Sequence, residues 1–206
     1  MDAGHPLVGL TGGIACGKST VAAYLREKGY PVINADRVGH IVLNPGQPAY
    51  EQILETFGDS ILAENKKINR KALGNLIFND GKAREQLNQI THPPIAQLIE
   101  ERLLDLTSFL DSGKPVFLEA ALLIESHWRS RCDQIWVVSA PKDQILQRLQ
   151  LRNGLTAEQA QARIDSQLRQ EERLPYADVV LENQDLLVDL LKQVDLALAQ
   201  LEVTEN

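Results

Sequence analysis

Short apolar runs alternate with longer amphipathic segments along the chain. Five of these runs are bounded by glycine, proline or polar residues and are too short for buried helices, which is typical of buried strands. The first run starts at Leu7, and the others cover residues 30–35, 114–119, 133–139 and 177–183. Because strands that alternate with helices pair in parallel and are covered on both faces, the pattern predicts an α/β fold with a five-stranded parallel sheet flanked by helices.

Between the second and third predicted strands, residues 37–113 have a helical pattern with no convincing strand. Breaks occur at 44–48, 57–59 and 79–81. A long amphipathic helix is predicted from Pro94 to about Leu110. Its apolar face consists of Ile95, Leu98, Ile99, Leu103 and Leu106. A parallel crossover needs only one helix, so the excess predicts a helical insert that leans over the strand ends and holds an acceptor substrate.

Composition excludes several classes of protein. The chain has 206 residues, a net charge of −7 and a pI near 5.1, so it lacks the basic surface that a general nucleic-acid binder needs. No apolar run approaches the length of a membrane span, and residues 1–6 lack the basic start of a secretory signal. Two cysteines do not make a disulfide framework and indicate a reducing compartment. We therefore expect a cytoplasmic enzyme that binds neither nucleic acid nor membrane.

A glycine-rich segment between the first strand and the first helix matches the phosphate-binding template G-x-x-x-x-G-K-[ST]. Its fixed positions are Gly12, Gly17, Lys18 and Ser19. Glycines permit backbone conformations in which successive N–H groups point at a polyphosphate, and the following helix adds its positive N-terminal end. Lys18 is expected to reach the terminal phosphates, and the Ser19 hydroxyl to help hold Mg²⁺. The segment predicts binding of a nucleoside triphosphate, with the helix ending near Gly29.

Two acidic residues follow predicted strands, at the edge of the sheet where α/β enzymes carry their chemistry. Asp36 follows the second strand and could accept a proton from an attacking hydroxyl or help to position a metal, but it could equally cap the next helix. Glu119 ends the third strand and could hold a metal-bound water. His92 is a candidate for the substrate side of the insert, although a lone histidine is more often structural. Spacing alone leaves these roles open.

Arginines are concentrated in the second half of the chain despite its acidic average. Arg148 and Arg152 lie in the helix predicted from Lys142, and another helix begins with a capping-box spacing at Thr156. Its later turns contribute Arg163, Arg169 and Arg173. We predict a helical lid here that neutralises a transferring phosphate. A solvated charged face is the alternative for part of this set, because acidic residues are interspersed.

These motifs and several weaker ones follow one another in a defined order. They comprise residues 10–14, 17–21, 35–36, 92–93, 122–125, 148–152, 160–167 and 177–183. In order and spacing they resemble the dephospho-coenzyme A kinase family over nearly the whole chain. That family is similar to the nucleoside monophosphate kinases, so the resemblance implies a P-loop NTPase fold with an inserted helical substrate domain and a helical lid.

The resemblance also implies an activity, which is transfer of the γ-phosphate of ATP to the ribose 3′-hydroxyl of dephospho-coenzyme A, the last step of coenzyme A synthesis. Mg²⁺ would accompany ATP. The implied organisation is a single kinase domain with a core of residues 1–36, 114–147 and 175–206, a substrate-binding insert of residues 37–113 and a lid of residues 148–174. The expected partner is the small-molecule acceptor, and the expected state is a monomer or a small homo-oligomer.

Carried onto this sequence, the family's motifs imply two groups of site residues. The nucleotide-binding group is Gly13, Ala15, Cys16, Gly17, Lys18, Ser19, Thr20, Arg148 and Asn183. The acceptor-side group is Asp36, His92, Glu119 and Leu122. Within these groups Asp36 matches the family's proposed catalytic base, Lys18 is the phosphate lysine and Ser19 is the metal ligand. Arg148 occupies the lid position that meets the nucleotide, which makes it the third implied catalytic residue.

The sequence departs from the family's usual pattern in four places, one of which is Gln184, where the family often has glycine. Ala15-Cys16 replaces Gly-Ser, and a thiol beside the phosphates leads to the hypothesis that the loop is oxidisable. Asn34 replaces the first acid of Asp-Ala-Asp, which leaves more of the work to Asp36. Glu119 is followed by two alanines where the family usually has Asp-x-Pro.

Two other functions are compatible with parts of the sequence. The chain could be another small-molecule P-loop kinase, because the insert does not identify its acceptor. It could also be a GTP-dependent switch, since residues 36–39 match D-x-x-G. The guanine-reading N-K-x-D is missing, however, because Ile68 stands where the aspartate would follow Asn65-Lys66-Lys67. A switch should prefer GTP strongly, and a nucleotide-binding panel would separate the two classes.

Overall fold

A computed structural model of the chain describes residues 4–78 and 80–203. Its sheet contains the five predicted strands in the order β2-β3-β1-β4-β5. They are β1 (Leu7–Gly12), β2 (Val32–Asn34), β3 (Val116–Glu119), β4 (Gln134–Ser139) and β5 (Val179–Glu182). The pairs β1–β3, β1–β4 and β4–β5 are parallel, so every crossover brings the chain back across a face of the sheet. The predicted parallel α/β fold is confirmed.

Helices follow the strands and end at the predicted signals. They are α1 (Lys18–Glu27), α2 (Ala35–Ile41), α3 (Pro48–Phe57), α4 (Arg70–Phe78), α5 (Gly81–Thr107), α6 (Lys142–Asn153), α7 (Ala157–Asp165), α8 (Gln170–Arg173) and α9 (Leu187–Val203). Gly29 ends the first helix with a φ of 81°, a conformation that glycine adopts without strain. Thr156 and Gln159 form the predicted capping box of α7. None of the helices in these described ranges combines the length and apolarity needed to cross a membrane.

Two predicted helices differ from the structure. The helix predicted from Thr156 to include Arg163, Arg169 and Arg173 ends at Asp165, and Arg173 lies in the separate α8, whose N-cap residue is Arg169.

The second difference is a helix boundary. The long helix of the insert begins at Gly81 rather than at Pro94, and it passes through Pro93 and Pro94 without ending. Each proline removes one intrahelical hydrogen bond, which normally stops a helix. Here the extra N-terminal turns bury their apolar side chains, because Leu87 and Ile90 pack against the core of this region. The packing of these side chains therefore outweighs the helix-breaking effect of the two prolines. His92 lies within the helix rather than before it.

The sheet forms the main core. Every residue of β1 is buried, and β3 contributes Phe117, which contacts Trp136 of β4 edge-on at a ring-centroid distance of 5.2 Å. Gly9 in β1 leaves no room for a side chain, because a Cβ there would lie 2.9 Å from Sγ of Cys132 and would also meet Leu123. Burial of apolar surface stabilises the fold by roughly 25 cal/mol per Å². The buried strands therefore hold their carboxyl ends, which carry the site, in a fixed position.

The chain divides into two compact units, residues 1–33 with 106–206 and residues 34–105. The first unit holds the sheet. The second is helical and has its own small core of Tyr50, Ile53, Ile61, Ile68 and Leu73. The Tyr50 hydroxyl donates a hydrogen bond to the carbonyl oxygen of Lys66 at 2.5 Å, which ties two of its segments together. The finer division into kinase core, substrate insert and lid stays a prediction.

Candidate active site

A cleft of about 660 Å³ opens at the carboxyl ends of the strands in the first unit. The loop between β1 and α1 forms one wall, and the C-terminal half of α6 contributes to another. The lining residues are Gly12, Gly13, Ile14, Ala15, Gly17, Lys18, Ser19, Thr20, Ala121, Arg148, Leu151, Arg152, Gln167 and Asn183. Eight of the nine residues implied for the nucleotide therefore line one space; the exception is Cys16. This is the position at which open α/β sheets bind ligands.

The loop backbone takes conformations that explain its glycines. Gly17 has a φ of 108°, and a Cβ on it would collide with the side-chain amide of Asn183. A Cβ on Gly12 would lie 2.5 Å from the carbonyl oxygen of Val138. Ala15 also lies in the left-handed region, with a φ of 57°, where a side chain costs free energy. The loop is thus folded tightly against the neighbouring strands, which positions its N–H groups before any ligand binds.

Helix α1 begins directly after this loop, with Gly17 as its N-cap residue. Gly17 has no side chain that could cap the helix, and the first turn contains no acidic residue. The N-terminal N–H groups and the positive end of the helix dipole therefore face the cleft that Lys18, Ser19 and Thr20 line. A polyphosphate is the ligand that this arrangement favours.

Arg148 and Asn183 hold the loop from the side of α6 and β5. The Asn183 side chain donates to the carbonyl oxygen of Cys16 at 2.7 Å. Arg148 donates to the carbonyl oxygen of Ala15 at 3.3 Å and to the Oδ1 of Asn183 at 3.3 Å. Gln144 completes the group by accepting a hydrogen bond from Arg148 at 3.0 Å. The Arg148 guanidinium is therefore fixed at the edge of the cleft, with its positive charge beside the phosphate loop.

The acceptor-side candidates belong to different parts of the chain. Glu119 is 3% exposed at the end of β3 and forms an ion pair with Arg26 at 3.6 Å, whereas Leu122 is 59% exposed. His92 is exposed on α5. Asp36 is exposed in the first turn of α2, which starts directly after β2. Glu119 and Leu122 lie in the sheet unit, and the other two lie in the helical unit.

His40 lies one helical turn after Asp36 and was missed by the sequence analysis. His40 is exposed, but partial burial of its ring lowers its pKa, the positive charge of Arg70 lowers it further, and the Asp36 carboxylate opposes both effects. His40 therefore tends to stay neutral near pH 7. Its i, i+4 spacing from an exposed aspartate is the signal that could have identified it.

The chain is similar to known proteins over most of its length. A family model described as dephospho-CoA kinase (CoaE) matches residues 6–189. The chain is 42% identical over 190 residues to a dephospho-CoA kinase of Carboxydothermus hydrogenoformans, covering 92% of this chain and 91% of that protein. This chain belongs to the dephospho-CoA kinase family.

Solved structures of similar proteins have the same fold. A Thermus thermophilus protein superposes with a TM-score of 0.82 at 34% identity, covering 95% of this chain and 98% of the other. The dephospho-CoA kinase of Campylobacter jejuni has a TM-score of 0.71 at 30% identity, with coverage of 97% and 98%. Membership of this kinase family establishes that the protein is an ATP-dependent phosphotransferase. It therefore argues against the alternative of a GTP-dependent switch.

Two departures from the usual pattern of dephospho-CoA kinases have a structural explanation. Asn34 caps α2, because its side chain accepts a hydrogen bond from the Arg37 N–H at 2.7 Å, a task that asparagine performs as well as aspartate. Cys16 is 1% exposed, and its burial raises the pKa of the thiol. The thiolate is the form that oxidants attack, so this environment does not support the hypothesis of an oxidisable loop.

Two further residues reach the phosphate loop from the segment after α7. Arg173 is one of the arginines predicted to neutralise a phosphate, and Gln167 lies in one of the motifs of the family resemblance, but neither was assigned to a binding group. Gln167 accepts a hydrogen bond from the Ile14 N–H at 2.8 Å, across 153 positions of sequence. Arg173 lies 2% exposed beside Gly13. The sequence did not predict their contacts with the loop, since both contacts depend on how the segment after α7 folds back onto it.

Proposed function

We propose that this protein transfers the γ-phosphate of ATP to the ribose 3′-hydroxyl of dephospho-coenzyme A, giving coenzyme A and ADP. The observation that carries the proposal is the prefolded phosphate loop with Lys18 and Arg148 at one cleft, in a chain that belongs to the dephospho-CoA kinase family. Phosphoryl transfer requires little covalent chemistry from the protein, and positioning and charge neutralisation dominate. Those are the two properties that this cleft provides.

In this proposal the nucleotide phosphates lie in the loop formed by Gly13 and residues 15–20. Lys18 and Arg148 neutralise the charge that develops on the transferring group. Leu151 is 80% exposed and Arg152 lies beside it at the cleft, so they offer an apolar surface and a cation to the rest of the nucleotide. Arg148 would thus serve both to hold the loop and to contact the nucleotide.

Mg²⁺ would be held by the Ser19 hydroxyl and by phosphate oxygens, where it neutralises phosphate charge. Within residues 4–78 and 80–203 no cluster of three or more histidine, cysteine, aspartate or glutamate residues could hold a metal by itself. This donor set fits a magnesium ion that arrives with the nucleotide, because Mg²⁺ in kinases keeps water and substrate oxygens as most of its ligands.

Asp36 is the proposed base that orients or deprotonates the attacking 3′-hydroxyl. Its exposure in the first turn of α2 supports this role, because the carboxylate is accessible to a substrate. His92 and Leu122 are also exposed and are proposed to contact the acceptor, and Glu119 is proposed to complete that side. We further propose a cytoplasmic enzyme that acts as a monomer or small homo-oligomer, in keeping with two free cysteines.

The test is ADP release from Mg-ATP with dephospho-coenzyme A, compared with adenosine, AMP, CMP and shikimate as acceptors. Phosphorus NMR of the product identifies the phosphorylated position. We expect strong preference for dephospho-coenzyme A and a new 3′-phosphate. Turnover of a different acceptor alone would assign the protein to another small-molecule kinase activity on the same fold.

A further inference from the structure

The side chain of Arg173 is buried beside the phosphate loop without an ion pair to a described carboxylate, although Asp165 and Glu171 line the same cavity. It is 2% exposed, and its Nε has no hydrogen-bond partner among the described residues. Glu172, the adjacent residue, pairs with Arg169 at 3.2 Å instead, and no described carboxylate forms an ion pair with Arg173. Burial of an unpaired charge is costly, so this arginine destabilises the protein unless something compensates for it.

The position of Arg173 is defined by the loop itself. A Cβ placed on Gly13 would lie 3.4 Å from Nη1 of Arg173 and 4.0 Å from Oε1 of Gln167. Arg173 lines a second cavity of about 440 Å³, and Gly13, Ile14 and Gln167 border both this cavity and the nucleotide cleft. The guanidinium therefore lies beside the Gly13–Ile14 segment and lines the second cavity rather than the nucleotide cleft.

Two positive charges act on this loop in the absence of a ligand. Arg173 and Lys18 both exert a coulombic effect on the buried thiol of Cys16, which lies inside the loop. Like charges in a poorly hydrated region repel each other, and the repulsion is relieved when an anion of high charge enters. The triphosphate of ATP is such an anion.

We propose that Arg173 is a positioning residue whose buried charge is neutralised by the nucleotide phosphates, so that the empty protein gives up stability in exchange for nucleotide affinity. The inference rests on the proposed ATP site but not on the identity of the acceptor. Arg173 acts through the loop peptide rather than by contact, because it lines the second cavity and not the cleft. This role predicts opposite effects of charge removal on stability and on binding.

The experiment compares Arg173→Met with Arg173→Lys. Methionine keeps most of the apolar stem and removes the charge, whereas lysine keeps the charge. We expect Arg173→Met to raise the Tm of the ligand-free protein by roughly 2–4 °C and to weaken Mg-ADP binding, measured by calorimetry, roughly tenfold. Arg173→Lys should bind Mg-ADP much more tightly than Arg173→Met. Arg129→Met is the control, because Arg129 is exposed and stacks on Tyr176 at 4.7 Å.

A second variant tests the same charge without altering Arg173. Gln167→Glu preserves an oxygen that can accept the Ile14 N–H and places a carboxylate beside Arg173. We expect a higher Tm without ligand and weaker Mg-ADP binding. In the Arg173→Met background the gain in Tm from Gln167→Glu should disappear, because its ionic partner is gone.

The outcomes separate this inference from the proposed function. A lower Tm with unchanged Mg-ADP affinity in Arg173→Met, together with no gain in Tm in Gln167→Glu, would make Arg173 an ordinary structural residue and overturn the inference. Failure of the wild type to phosphorylate dephospho-coenzyme A would overturn the proposed acceptor and leave the Mg-ADP measurements valid. A shift in KM for ATP without a comparable fall in kcat is the kinetic result expected for Arg173→Met.

Discussion

The two compact units hold their candidate site residues in different ways. In the sheet unit, Asn183 and Gln167 reach the phosphate loop across 167 and 153 positions of sequence, and the loop is fixed from two sides. In the helical unit, Asp36 and His92 are exposed on helices. The proposed nucleotide side is therefore preorganised by packing and hydrogen bonds, whereas Asp36 and His92, proposed for the acceptor, are accessible side chains on a small helical scaffold.

This difference has a direct experimental consequence. Substitutions around the phosphate loop should change stability and nucleotide binding together, because the same hydrogen bonds serve both. Substitutions of Asp36 and His92, the exposed candidate residues of the helical unit, should change activity with little effect on stability. The most informative variants are those in which one of these two properties changes alone.

The largest effect is expected for Asp36→Asn. Loss of a general base lowers rate by about 10²- to 10⁴-fold, so kcat with dephospho-coenzyme A should fall by that factor. Because Asp36 is exposed, the free energy of unfolding should change by no more than about 0.5 kcal/mol. Steady-state kinetics and urea unfolding measure the two quantities.

The control for this experiment is Asp59→Asn. Asp59 is also an exposed aspartate of the helical unit, and it lies in a short 3-10 turn outside the proposed site. Its kcat should remain that of the wild type. A fall of less than threefold in Asp36→Asn would remove this carboxylate from the mechanism.

The next effect concerns the cores of the two units. Leu25→Ala should cost about 3–5 kcal/mol, because Leu25 is fully buried between α1 and the sheet. Leu73→Ala, in the small core of the helical unit, should cost about 2–3 kcal/mol, since its surroundings can collapse more easily. Urea unfolding of both variants measures the difference. Equal costs would show that the helical unit is as tightly packed as the sheet unit.

Asn183→Ala should have an effect of intermediate size on both stability and nucleotide binding. Loss of the side chain leaves the carbonyl oxygen of Cys16 without its 2.7 Å partner and frees one contact of Arg148, at a cost of about 1–3 kcal/mol. Mg-ADP binding should weaken in parallel. Gln184→Ala is the matched control, because Gln184 is exposed, its side chain bonds only to the neighbouring Glu182, and the substitution keeps the backbone carbonyl that accepts from Gln144. Reduced stability with unchanged Mg-ADP affinity would separate the two properties here.

A smaller effect of opposite sign is expected for Ala15→Gly. Glycine relieves the left-handed conformation of Ala15, worth about 1–2 kcal/mol, but loses about 0.5–1 kcal/mol to the greater entropy of the unfolded chain. We expect a net gain of up to about 1 kcal/mol in the free energy of unfolding. The same substitution at Ala23, exposed in the interior of α1, should cost about 1 kcal/mol. A destabilised Ala15→Gly protein would mean that the loop carries no strain at this position.

Local signals predicted most of the fold, because strands, glycine stops and the phosphate loop are each encoded within a few residues. The predicted start of α5 was wrong, since packing of Leu87 and Ile90 against the core of the helical unit outweighed the effect of two prolines. The contacts of Gln167 and Arg173 with the loop were not predicted for the same reason, because they arise from the tertiary path of the segment after α7. Sequence motifs therefore predicted a nucleotide ligand for this loop, and only the structure revealed which residues hold the loop in place.

The smallest predicted effect is a pH dependence in the helical unit. Burial and Arg70 lower the pKa of His40 below its ordinary value of 6.5, so the unfolded chain binds more protons than the folded chain as the pH falls below 6.5. The stability that neutral His40 contributes is present above that pH and is lost as the pH falls towards the folded pKa. His40 is exposed, so the effect should be slight. Between pH 7 and pH 5 the Tm of the wild type should fall slightly more than that of His40→Gln, and identical pH profiles would show that the ring is fully solvated.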